Sequence, residues 1–234
     1  MSPLYGDRDP REIPTYSVRD AARYLRIPQG TIRSWVLGRK YTTATGPKAF
    51  YPLIAVIEQK PSLLSFTNLI EVHVLRAIRK EHNVQLDKVR TALDYLEEQL
   101  NISHPLAQQR FRTDGVDLFI DRYGTLISAS RRGQTELKDA LNRHLDRIEP
   151  DDNGLAIKLY PFTRSVEESS PRLVAIDSRI AFGRLVIVGS GIPTRILAER
   201  YQAGDSIAEL AEDYNCAVNS IEEAIRCELL PMSA

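Results

Sequence analysis

Residues 17–36 and 206–225 align with each other without a gap, and each stretch carries the pattern of two short helices around a tight turn. Ser17 matches Ser206, Val18 matches Ile207, Ala22 matches Ala211, Ile32 matches Ile221 and Val36 matches Ile225. Ser17 with Asp20, and Ser206 with Glu209, spell the capping box that starts a helix by satisfying its first backbone N–H groups. Small Ala22 and Ala211 let a second helix cross closely. The pattern therefore predicts a helix-turn-helix, written twice. Charge separates the copies: Arg23 aligns with Glu212, and Arg33 with Glu222. A basic unit can hold DNA phosphates, and an acidic one is repelled by them. The first copy is expected to read DNA and the second to meet a different partner.

The whole-chain charge hides this contrast. The 234 residues carry 31 Lys or Arg and 31 Asp or Glu. Residues 1–60 hold 10 basic against 5 acidic side chains, and residues 193–234 hold 3 against 8. Such end-to-end asymmetry points to different partners at the two ends. The length suffices for two or three domains. No apolar run approaches the roughly 18 residues that span a membrane. Residues 1–14 lack the apolar core of a secretion signal. Cys216 and Cys227 read as small apolar fillers on the last helices, too few for a metal site. A reducing, cytoplasmic setting is expected, with no membrane partner and no metal or other cofactor.

Behind the first unit, Gly38 to Thr43 and Gly46 to Tyr51 flank a Gly-Pro turn, which predicts a hairpin. A hairpin directly behind a recognition helix is a wing. The Ser-x-x-Asp-Ala-Ala start, the Thr31-Ile32-Arg33-x-Trp35 core and the basic hairpin make Ser17 to Pro52 resemble the winged helix-turn-helix of the MerR and excisionase families. Pro28 departs from that pattern: it stands where a polar N-cap is usual, so the side-chain cap is lost. Residues 62–81 and 85–100 read as amphipathic helices with a turn at Asn83. The stripe Leu69, Val72, Leu75 and Ile78 serves either a homodimer contact, as the MerR resemblance implies, or the intramolecular core.

Residues 104–160 read as a small α+β module. Asp114-Gly115 is a hairpin turn signal, Val116, Leu118 and Ile120 alternate after it, and Tyr123-Gly124 predicts the next turn, before a strand at Leu126-Ile127. Leu137, Leu141, Leu145 and Ile148 mark a helix face, and Leu155 to Tyr160 a last strand. Glu167 to Pro171 reads as a linker. Beyond it come two short apolar runs, then Gly189-Ser190-Gly191-Ile192-Pro193-Thr194, then Ala203-Gly204-Asp205-Ser206. This order is similar to the small domain of VapB-type antitoxins encoded beside PIN-like toxins. With the MerR-like front, the chain resembles the long, VapB45-like kind. The expected fold class is α+β, mostly helical. It comprises a winged helix-turn-helix over 1–60, a helical connector over 61–103, the α+β module over 104–165, and a strand-plus-three-helix, helix-turn-helix-like domain over 171–234.

Helix-turn-helix docking selects Gln29, Thr31, Arg33 and Ser34 for base or nearby phosphate contacts, with Arg19, Arg39, Lys40, Tyr41 and Lys48 around them. The resemblance implies an antitoxin that binds its operator DNA and neutralises a PIN-like ribonuclease toxin, whose Mg²⁺-holding carboxylates such antitoxins often block with an arginine. Candidates on this side are Arg179, Arg184 and Arg195, with Glu212, Asp213, Glu222 and Glu223 as an acidic face. Two other readings stay open: a MerR-like regulator sensing a small ligand in the 104–160 module, and a structural adaptor. No catalytic constellation is evident. Gly189-Ser190-Gly191 lacks the further residues of a phosphate loop or dinucleotide fingerprint. His73, His82, His104 and His144 have no partner at triad or ligand spacing, and no enzyme is expected.

Overall fold

The computed structural model describes residues 8–43, 46–56, 58–59, 62–81, 86–127 and 130–229. Strand β1 (Tyr16–Ser17) leads into α1 (Val18–Leu25) and α2 (Gln29–Leu37), followed by the hairpin β2 (Arg39–Thr43) and β3 (Gly46–Phe50). Short β4 (Glu58–Gln59) and β5 (Ser62–Leu64) return the chain to β1, Tyr16 pairing with Leu64. Trp35 is the keystone of this unit: it is 2 % exposed, and its carbonyl accepts the backbone N–H groups of Leu53 and Ile54 at 2.7 and 3.1 Å. Gly38 ends α2 at φ 69°, where a Cβ would lie 2.3 Å from the Phe50 carbonyl oxygen. Only glycine lets the wing start that tightly.

Helices α3 (Phe66–Glu81), α4 (Leu86–Leu100), α5 (Val116–Ile127) and α6 (Arg131–Leu145) follow, with α3 packed on α6, and α5 against both α4 and α6. The stripe Leu69, Val72, Leu75 and Ile78 is buried in this intramolecular core. Asn83 and His82 lie outside the described residues. The hairpin expected at Asp114-Gly115 is corrected: residues 111–115 form one wide π-turn that runs straight into α5. Buried Val116, Phe119, Ile120 and Tyr123 follow helical spacing, which overrides the apparent alternation. Both glycines serve packing instead of turning. A Cβ on Gly115 would lie 2.9 Å from the Phe111 ring, and one on Gly124 would lie 2.8 Å from the Gln134 amide on α6.

Strands β6 (Ile148–Pro150), β7 (Ala156–Leu159), β8 (Val174–Asp177) and β9 (Leu185–Ile187) form one antiparallel sheet in that order. The boundary expected between 104–165 and 171–234 runs between β7 and β8, which pair directly. The segment read as a linker is a packed strap. Glu167 is 3 % exposed and pairs with Arg76 at 3.1 Å. The buried Arg147 guanidinium donates to four strap carbonyls, those of Tyr160, Pro161, Ser170 and Pro171, at 2.8 to 3.1 Å. Helices α7 (Thr194–Ala203), α8 (Ile207–Asp213) and α9 (Val218–Leu229) complete the chain. The fold is α+β and mostly helical. Among the described residues no helix is long and apolar enough to cross a membrane.

Candidate functional site

The two aligned units share backbone geometry as well as sequence. Arg26 and Asn215, equivalent in the alignment, are both left-handed at φ 53° and 48°. Ile27 N–H donates to the Ala22 carbonyl at 3.2 Å, and Cys216 N–H to the Ala211 carbonyl at 3.0 Å. Ser17 and Ser206 both cap their helices, the second in a full capping box with Glu209. Ile32 and Ile221 are buried, as are Trp35 and Ala224, and Val36 and Ile225 behind them. Arg33 and Glu222, also equivalent, are both exposed. The same scaffold thus presents a cation on the first unit and a carboxylate on the second.

On α2 the exposed face runs Gly30, Arg33 and Leu37, with Gln29, Thr31 and Ser34 half-buried beside it. Pro28 occupies the N-cap and makes no side-chain capping bond. Arg39 and Lys40 are exposed on the wing, and Arg19 is exposed on α1. Tyr41 and Lys48 are register partners in the hairpin, and their side chains lie outside the described residues. Sequence reasoning missed Arg79. This α3 side chain is exposed, and its guanidinium donates to the Thr31 hydroxyl, adding a cation beside α2. Arg90 on α4 holds the end of the wing by donating to the carbonyls of Tyr51, at 2.7 Å, and Pro52. The spacing of Arg76 and Arg79 along α3 was visible, but their meeting with α1 and α2 is a tertiary fact.

The candidates of the second unit separate. Arg184 is exposed and makes no ion pair among the described residues. Arg195 is exposed and pairs with Glu199 at 2.6 Å. Arg179 forks onto Asp177 at 2.9 and 3.0 Å. Burial alone would raise the Asp177 pKa, but the bonds from the Arg179 side chain and backbone together hold it below the usual carboxylate range. Glu212 and Glu222 are exposed, and Asp213 bonds Arg200 at 2.6 Å. Glu223 is a correction. It was expected on the outer face, yet it is 2 % exposed and takes bonds from Thr163 and, at 3.1 Å, Arg164. Adjacent helix residues point about 100° apart, so when Glu222 faces out Glu223 turns inward. Cys227 is a free thiol that burial, then the neighbouring Glu223, pushes up to about 12, far from thiolate chemistry at neutral pH.

The units are locked together. Arg23 of α1 pairs with Glu228 of α9, whose other oxygen accepts the Thr194 hydroxyl of α7 at 2.6 Å. The Tyr16 hydroxyl donates to the Gly183 carbonyl at 2.8 Å. Gly183 sits at φ 72°, and a Cβ there would lie 2.2 Å from the Tyr16 hydroxyl. Gly183→Ala is expected to lower stability by about 1–2 kcal/mol through left-handed strain and this clash. A urea titration showing an unchanged midpoint would contradict that packing.

Residues 14–93 match a family described as "Putative DNA-binding HTH domain", and residues 174–226 match one described as "Protein of unknown function (DUF433)". Over 230 residues the chain is 26 % identical to "Putative antitoxin VapB45" of Mycobacterium tuberculosis, covering 92 % of this chain and 93 % of that protein. It is 25 % identical to "Uncharacterized protein Rv2308" of the same organism, covering 92 % and 89 %. Among solved structures, the crystal structure of Rv2018 from Mycobacterium tuberculosis has the same fold, with a TM-score of 0.66 at 21 % identity over 91 % of this chain and 98 % of that one. The chain is thus similar over 92 % of its length to a protein named as a putative VapB45 antitoxin, with a match to a helix-turn-helix family in front and to DUF433 behind.

Proposed function

We propose that this chain is a non-enzymatic antitoxin of a type II toxin–antitoxin pair. It binds the operator of its own genes through α2 and the wing, and it neutralises a PIN-like ribonuclease toxin through its C-terminal unit, acting in the cytoplasm as a homodimer. The reading is carried by one observation: the same helix-turn-helix geometry occurs twice with opposite charge at equivalent exposed positions, Arg33 and Glu222. The antitoxin name of a full-length relative and the DNA-binding description of the N-terminal family support it. Arg33→Ala should weaken operator binding by about 1–3 kcal/mol and relax sequence preference. Arg79→Ala should weaken it with little change in preference, because a cation beside the helix serves phosphates. Gel shifts at fixed salt on the upstream region check both, and full binding by the Arg33 variant would reject α2 as the reader.

A dimer would double the half-site contacts and fix their spacing. With the α3 stripe buried within the chain, its contact must use another face, and light scattering at micromolar concentration tests it. The ligand-sensor alternative finds less support. The cavity bordered by Leu106, Leu145, Ile148 and Ala156 measures about 190 Å³, below the roughly 300–1,000 Å³ of ligand sites. A truncation at Ser170 is a poor test of toxin binding, since it would remove β8 from β7 and the Pro171 carbonyl from Arg147. Point substitutions on the exposed surface are the sound alternative.

A further inference from the structure

Three residues form the exposed strip of α2: Gly30, Arg33 and Leu37. Residues seven apart on a helix differ by only about 20° in direction, so Gly30 and Leu37 share a line, with Arg33 between them along the axis and to one side. Arg33 is the only charged residue of this helix. The reasons that hold for glycine elsewhere in this chain do not apply to Gly30. Its backbone is helical, unlike that of left-handed Gly38 and Gly183. A Cβ there would meet no described atom within 4 Å, whereas one on Gly115 or Gly124 would strike a neighbour. Glycine inside a helix costs about 1 kcal/mol against alanine. The N-cap, Pro28, adds no side-chain bond. The start of α2 therefore forgoes local stability. What it offers is bare backbone, which another molecule can approach closely.

Leu37 closes the strip. It is 43 % exposed, although Ile32, Trp35 and Val36 of the same helix are buried. The chemistry of the strip limits what it can lie against. In the major groove the base edges present donors and acceptors, and the apolar group among them is the C5 methyl of thymine. A leucine pressed on polar edges would leave them dehydrated and unpaired, which is costly. Pressed on a thymine methyl, it removes apolar area from water on both sides. Leu37 lies about 6 Å further along the helix axis than Arg33, less than two base-pair steps of about 3.4 Å. We propose that Leu37 reads a thymine methyl within two base pairs of the base that meets Arg33, and that bare Gly30 lets α2 seat deeply enough in the groove for both contacts. The inference rests on the DNA-binding reading above and adds which base chemistry α2 selects beside Arg33.

The test uses the full-length chain and a duplex from upstream of its own gene, with affinities measured by fluorescence anisotropy at fixed salt. Replacing thymines one at a time by deoxyuridine removes the methyl and nothing else. For the unsubstituted chain, one such replacement should weaken binding about fourfold. Leu37→Ala should bind more weakly from the outset and be indifferent to that replacement, because the partner of the methyl is already gone. Its salt dependence should match that of the unsubstituted chain, since no phosphate contact is lost. Gly30→Ala should raise the melting temperature by about 1–4 °C. It should nevertheless weaken operator binding about tenfold, because the added methyl lifts α2 off the base edges. A chain that is more stable and binds worse has not been damaged in its fold. If the unsubstituted chain prefers the upstream duplex no more than an unrelated one, the DNA-binding reading falls and the inference with it. If that preference holds but no deoxyuridine replacement separates the unsubstituted chain from Leu37→Ala, the inference alone is overturned. Equal operator affinity for Gly30→Ala and the unsubstituted chain overturns it as well.

Discussion

Arg147→Met should lower the unfolding free energy by about 4 kcal/mol, the range of a broken buried polar network. Arg147 is 7 % exposed and has no carboxylate partner among the described residues, and its guanidinium N–H groups are spread over the carbonyls of Tyr160, Pro161, Ser170 and Pro171. It also lies over the Phe162 ring, 5.0 Å from its centre. Burial, reinforced by the nearby Arg172, pushes its pKa down to about 10, so the group remains charged at neutral pH. Methionine keeps the apolar stem and removes every donor, leaving those acceptors buried and unsatisfied. Lysine should recover only part of the loss, since an ammonium cannot span the fork that a planar guanidinium fits. Urea unfolding measures the effect, with Arg132→Met as control. Arg132 is 89 % exposed in its side chain and pairs with Glu136 on the same helix, so its loss should cost under about 0.5 kcal/mol. Equal midpoint shifts for the two variants would show that the strap does not depend on Arg147.

Acid should unfold this chain earlier than its carboxylates alone dictate. His73 is 1 % exposed; its ring stacks on Phe162 and lies 4.9 Å from the His144 ring, and its Nε2 is 3.1 Å from the His144 carbonyl. Complete burial, then the neighbouring His144, Arg76 and Arg147, holds its pKa well below the usual histidine range. The unfolded chain therefore takes up a proton near pH 6.5 that the folded chain refuses, and stability falls as pH drops below that value. The loss from His73 should grow as pH falls below about 6.5. His104 acts in the other direction. Its bond to the Glu71 carboxylate raises its pKa, so its contribution is complete below about 6.5 and is lost as pH rises through the folded value. The window from about pH 6.5 to 5 thus lies outside the range in which His104 changes the slope. In that window His73→Phe should show a clearly shallower slope of stability against pH, and parallel lines for the two proteins would refute the assignment.

Local chemistry was legible in the sequence. The serine caps, the crossing alanines and the alternation of Ile32, Trp35 and Val36 with Arg33 act over a turn or two of helix, and their pattern survives into the structure. Proline at the N-cap of α2 was equally plain. Elements set by distant packing were not. Gly115 and Gly124 carry a turn signal, yet they exist to admit Phe111 and Gln134, which no local pattern reveals. The polar strap around Glu167 reads as a tether until Arg76 and Arg147 are seen beneath it. Glu223 looks like part of an acidic face until Thr163 and Arg164 arrive from 60 and 59 residues away. At the proposed DNA side, Arg33, Arg39 and Lys40 could be named from position in the motif. Arg79 could not, since it reaches α2 from another element.

The packed strap has a consequence for how the two ends act on their partners. Where binding modules hang on a loose chain, the local concentration of one near the other's target follows linker length and stiffness. Here the strap is pinned at Arg147, Arg76 and Glu223, and the ends are clamped by Arg23 to Glu228 and Tyr16 to Gly183. The molecule behaves as a fixed bracket. A protein held at one end would sit at a set distance and rotation from any duplex held at the other. Whether both can be engaged together becomes a yes-or-no question of shape, and lengthening the segment between them would trade that fixed answer for a graded one.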